Sequence, residues 1–258
     1  MGIDIKSGTI TCLKFYSDNI NGLTSGSANV LTIEGGTLAA GGLFLSPNGT
    51  SDSSPNSKVV ISSGKLNVSE HCFLNGGGLT TFEMSGGTVT VQGPFYVNAS
   101  ALGKNTASQT GGDLLLTGDQ NTFIITGQSV YKISGGSITA GGLHLADNFN
   151  GAATAGTFIV QGMDPKLTFS ELNAQNTAAT MEFDLADKGV APITVSGTTT
   201  LGGNLTINGA SYASKTGVIH LIIDAGNEGT FEKVNLKGIK GKISYVATGV
   251  DFEVNANP

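Results

Sequence analysis

Met84-Ser85-Gly86-Gly87-Thr88-Val89-Thr90-Val91-Gln92-Gly93-Pro94-Phe95-Tyr96-Val97-Asn98 decides the fold of this chain. Apolar residues alternate with Thr through 88–91, the period-two pattern of a strand with one buried side. The Gly-Gly pair ahead of it supplies backbone freedom for a sharp corner. The unit returns at Ile5 (IKSGTITCLKFY), Ile33 (IEGGTLAAGGLFLSPN), Ile61 (ISSGKLNVSEHCFLN), Ile133 (ISGGSITAGGLHLADN) and, degenerate, Val160 (VQGMDPKLTFSELN). Met84 to Ile133 spans 49 residues, two repeats with a blurred copy near Thr110-Gly111-Gly112. Ile5 to Val160 is 155 residues over six steps, about 26 per repeat.

No segment carries a sustained i, i+3, i+4, i+7 apolar stripe, so helices are not expected. Short strands, a period in the twenties and a glycine corner at one phase predict an all-β chain. The expected architecture is a single-stranded parallel β-helix, or β-solenoid, of about 9–10 coils stacked about 4.8 Å apart. The corner glycines are Gly35, Gly36, Gly86, Gly87, Gly135 and Gly136. A β-sandwich or jelly roll also alternates, but leaves the phased Gly-Gly unexplained. Residues 1–192 read as the repeat. Residues 193–258 read as closing coils and a C-terminal β-strand cap of the same continuous domain. They contain the near-continuous apolar run Gly217–Asp224 and the alternating Val250–Val254.

Composition narrows the function classes. The 258 residues include 39 Gly, twice ordinary usage, with no Trp and no Arg; all 13 basic residues are Lys. A net charge of −6 argues against nucleic acid, whose phosphates call for clustered cations. No apolar run approaches the 18 or so residues of a membrane helix. Met1-Gly2-Ile3-Asp4 has neither the basic start nor the apolar core of a signal peptide.

The SGGTVTV-like unit followed by an apolar strand, at 84–97, 133–145 and 31–45, resembles bacterial surface and autotransporter-associated β-strand repeat proteins. The tail HLIIDAGNEGTFEKVNL…ISYVATGVDFEVN, at 220–255, resembles the ending of such passengers. The resemblance implies a parallel β-helix at the cell surface or outside the cell. No β-barrel translocator follows in this chain.

Chemistry-bearing patterns are sparse. Pectin-active β-helix enzymes gather carboxylates on one face, commonly with an Arg. Here the 19 acids are scattered, and the densest group is Glu182, Asp184 and Asp187. Alternation points Glu182 and Asp184 the same way, as a solvated strand face or a cation or acid/base pair. His71, His144 and His220 share no metal-ligand spacing and read as structural. No G-x-S-x-G elbow, phosphate loop or calcium nonapeptide occurs. No catalytic residue, metal or cofactor is therefore assigned. Lys233, Lys237, Lys240 and Lys242 form a small basic cluster that reads as a solvated cap. Cys12 and Cys72 fall two coils apart, about 10 Å, beyond disulfide reach, so no bond between them is expected.

The long insertions, 47–56, 98–111 and 147–156, fall at one phase, and in solenoids such a face often binds partners. Contacts there would come from Asn48, Asn98, Asp147 and Phe149, the single aromatic of those loops. The repeat starts at residue 3 with no cap, leaving strand edges for self-association. Ile3, Ile5, Phe252 and Val254 are the expected assembly ends. The reading is a non-enzymatic extracellular structural protein whose β-solenoid subunits assemble end to end into surface or matrix fibres. The alternatives are an adhesin or passenger fragment binding glycans or host surfaces, and a polysaccharide-active enzyme.

Overall fold

The computed structural model describes residues 2–17, 29–45, 57–74, 80–97, 105–147, 154–213 and 216–255. Among the described residues it is all-β, 67% strand with no helix, and its strands stack in parallel as a β-solenoid. Each coil makes three faces. Face 1 is a ladder of ten strand segments, from Gly2–Ile5 through 30–33, 57–61, Thr80–Met84, Thr106–Gln109, Ser129–Ile133, Gly156–Gln161, Ala179–Asp184 and Asn204–Asn208 to Lys233–Lys237. Face 2 stacks nine, from 9–12 to 222–223. Face 3 stacks nine, from 14–17 to Asn227–Gly229. About seven coils, the second to the eighth, have parallel neighbours on both sides of every face. Parallel ladders of this kind exclude the sandwich alternative, whose sheets are antiparallel.

The repeat anchors stack in register. Ile5, Ile33, Ile61, Met84, Gln109, Ile133, Val160, Phe183, Ile207 and Leu236 form one column on face 1. The blurred repeat therefore occupies a full coil, and residues 106–109 are strand where the composition reads as loop. A parallel neighbour on each side overrides the weak strand propensity of Thr-Ala-Ser-Gln.

That coil places Gln109 where its neighbours place Met and Ile, and the amide is fully buried. Its Nε2 donates to the Gly112 and Ser137 carbonyls, both at 3.0 Å. Its Oε1 accepts from the hydroxyl of buried Tyr131 at 2.7 Å. Every polar atom of the pair is satisfied, so the interior tolerates them. Tyr131→Phe leaves Oε1 without that donor and is expected to cost about 1–3 kcal/mol. Urea midpoints of the two proteins measure it; an unchanged midpoint would show that the amide finds another partner.

The Gly-Gly corners use their two glycines differently. At Gly87 and Gly136 the backbone is left-handed, with φ of 75° and 82°. Gly86 and Gly135 have no positive φ, but a Cβ there would strike the carbonyl of the coil before, at Ser62 and Thr110, as one at Gly87 or Gly136 would strike Gly64 or Gly112. Gly35 and Gly36 both avoid contact of this second kind, against Lys6 and Gly8. The second glycine of each pair turns the chain, and both permit the 4.8 Å stacking.

The two ends differ. At the C-terminal end, Gly217–Ile223 joins the parallel stack only at 222–223, and Gly249–Val254 pairs antiparallel along it. Gly241–Val246 pairs with the other edge of Gly249–Val254. This is the C-terminal cap. At the N-terminal end, Gly2–Ile5 and Thr9–Ser17 have neighbours only on the side of the second coil, among the described residues.

Candidate functional surfaces

Strand alternation fixes which side chains reach solvent, and register fixes which of them meet. In Ala179–Asp184, Thr180, Glu182 and Asp184 point outward while Met181 and Phe183 enter the core. The sequence reading of Glu182 and Asp184 as one-sided holds. Two lysines flank them from other coils. Lys237 Nζ lies 3.8 Å from Glu182, and Lys132 Nζ lies 3.8 Å from Asp184. Burial lifts the Glu182 carboxyl above its ordinary range; Lys237 opposes the shift and Asp184 adds to it. Asp184 also lines a hollow of about 190 Å³ with Gln161, Asn208 and Ser211. The group is a lysine–carboxylate ladder joining the sixth, eighth and tenth coils. Among the described residues no three His, Cys, Asp or Glu side chains are placed to hold a metal ion.

The histidines take separate positions. His144 lies between two carboxylates, Nδ1 at 3.0 Å from Asp147 and Nε2 at 2.5 Å from Glu171 of the next coil. His220 meets Asp251 of the cap at 2.7 Å. His71 leans on the Phe73 ring at 5.7 Å. Both cysteines are free. Cys72 is fully buried, which pushes its thiol pKa up and leaves it unreactive. Cys12 is half-buried on the first coil.

Face 3 holds an aromatic column that the sequence reading overlooks. Phe44 and Phe73 stack at 5.3 Å, and Phe73 and Tyr96 at 4.5 Å with planes 2° apart. Lys14 sits over the Phe44 ring at 5.8 Å. Its signal is a shared phase: the middle residues of Leu43-Phe44-Leu45, Cys72-Phe73-Leu74 and Phe95-Tyr96-Val97 stand in register. The rings present their faces to one another and their edges outward. Stacking of this kind braces one coil against the next.

The long insertions join face 3 of one coil to face 1 of the next. Asn48, Asn98 and Phe149 lie outside the described residues. Asp147 is described, held by His144.

The expected assembly residues divide by end. Phe252 and Val254 are buried within the cap itself, in a strand paired on both edges. Ile5 is buried, and Ile3 is partly buried against the core. The telling residue is Ile10. It occupies the column of Leu38, Leu66, Val89, Leu114, Ile138, Leu167, Ile193 and Ile222, none more than 3% exposed. Ile10 itself is 44% exposed. A core position thus opens to solvent at the N-terminal end, beside partly buried Ile3, Cys12 and Phe15.

Compared with protein-family models, curated proteins and solved structures, the chain matches none at a significant level.

Proposed function

We propose that this chain is a non-enzymatic structural β-solenoid, working at the cell surface or outside the cell, that self-associates through its first coil. The exposure of Ile10, in a column otherwise closed to water, carries the reading. Strand edges with no neighbour among the described residues, set around an apolar floor, form a template for another β-coil. Composition agrees: an acidic, Arg-free, Gly- and Thr-rich chain suits exposure to solvent better than phosphate binding. Its repeat and tail also resemble those of bacterial surface β-repeat proteins.

Sedimentation velocity across a hundredfold concentration range tests it. The native chain is expected to pass from monomer to assembly. Ile10→Lys places a charge on the floor and is expected to hold the protein monomeric while circular dichroism stays that of a β-fold. A native chain that remains monomeric at the highest concentration would sink the reading.

A further inference from the structure

We propose that Glu182 and Asp184 take up one proton between them as the pH falls, and that this proton releases Lys237 of the tenth coil from the eighth.

The two carboxyls stand on one side of Ala179–Asp184, two residues and about 7 Å apart along the strand. Both are mostly covered: the Glu182 side chain is 20% exposed and that of Asp184 17%. Neither lysine satisfies them directly. Lys237 to Glu182 and Lys132 to Asp184 are both 3.8 Å, longer than an N–H···O hydrogen bond. Asp184 Oδ1 is closed to solvent and accepts no hydrogen bond. Gln161, Asn208 and Ser211 stand around Asp184 without donating to that oxygen. The adjoining strands bring no charge. The seventh coil sets Ile159 and Gln161 beside the pair, and the ninth sets Thr206 and Asn208. The charged groups facing Glu182 are therefore Asp184, Lys237 and Lys132.

A covered carboxylate that lacks a donor, next to a second carboxyl, favours a proton held between the two. Burial is the largest influence on Glu182 and lifts its carboxyl. Lys237 opposes the lift, the charge of Asp184 and a hydrogen bond to it add, and Lys132 opposes. Protonated, Glu182 becomes a donor to Asp184 and loses the charge that draws Lys237. Ionised, it ties Lys233–Lys237, the last strand of face 1, to the eighth coil through Lys237. The raised folded value fixes the sign of the pH effect. Folding favours the protonated pair, so its contribution to stability is complete below the unfolded glutamate value of about 4.3. That contribution is lost as the pH rises through the folded value.

Carbon-13 carboxyl NMR of the whole chain reads the titration. Glu182 is expected to titrate above about 4.3. Asp184→Asn is expected to lower that midpoint, and Lys237→Gln to raise it. Glu182→Gln keeps a donor and carries no charge. Its urea midpoint is expected to exceed the native one at pH 7, and the gap to close by pH 4. A Glu182 midpoint at or below the ordinary value would overturn the shared proton, as would one that Asp184→Asn leaves in place. A midpoint indifferent to Lys237→Gln would overturn the release of the tenth coil. A Glu182→Gln gap that stays the same from pH 7 to pH 4 would show that the pair does not couple the proton to folding, and would overturn the proposal.

Discussion

Phe123→Ala is expected to destabilise the solenoid by about 3–5 kcal/mol, the range for deleting a fully buried aromatic ring. Phe123 is on face 3 of the fifth coil and is fully buried. Its ring meets Phe95 of the coil before at 5.4 Å, Tyr131 of the coil after at 4.8 Å and Phe158 one coil further at 6.3 Å, all edge to face. These contacts run along the axis and also across the interior, from face 3 to face 1. The backbone ladders on either side hold their spacing, so the emptied volume cannot collapse fully and the cavity term adds to the lost burial. In a solenoid each coil is stabilised by its neighbours, and a gap at the fifth coil weakens the coupling between the two halves. Denaturation followed by circular dichroism should show a lower midpoint, with a broadened or divided transition. A loss below about 1 kcal/mol would mean that the aromatic cluster repacks without a cavity.

Gly136→Ala is expected to be nearly as damaging although it adds a single methyl group. The residue sits at φ 82°, where an L side chain is strained, at about 1–3 kcal/mol for the backbone alone. The new Cβ would also strike the Gly112 carbonyl oxygen, lie 2.7 Å from the Gly111 carbonyl carbon and 3.0 Å from Nε2 of Gln109. Relief by moving the corner would disturb the buried Gln109–Tyr131 hydrogen bond. The control is Gly2→Ala, whose Cβ would meet only the Val30 oxygen at 3.8 Å; it should shift stability by less than about 0.5 kcal/mol. Equal effects from the two substitutions would show that the corner, not the second glycine, absorbs the change.

The repeat was legible because it is a local constraint written many times. Alternation at 88–91 and 137–140 sorts side chains to core and solvent whatever the coils' order. The anchors from Ile5 to Val160 share one sequence phase, and register stacks them in one column. The blurred coil at 106–109 was harder, since polar Gln109 interrupts the apolar signal and is satisfied not by Gly112 alone but also by Tyr131 and Ser137, more than twenty residues away. Insertions of unequal length hid the outward columns. Coils on face 1 advance by 23 residues between Ser57 and Thr80 but by 29 between Asn204 and Lys233. Phe44, Phe73 and Tyr96 are therefore unevenly spaced in sequence and stacked in space.

The sequence by itself determined the strand pattern, the glycine corners and the coil, because backbone sterics and alternation act within a few residues. It also put Glu182 and Asp184 on one side of a strand. Only the tertiary structure brought Lys132 and Lys237 to those carboxylates, set His144 between Asp147 and Glu171, and closed the ring faces of the aromatic column. It alone distinguished the two ends, burying Phe252 and Val254 within an antiparallel cap and leaving Ile10 open. Those outcomes depend on register between coils, a sum of all the intervening loop lengths, which no local pattern encodes.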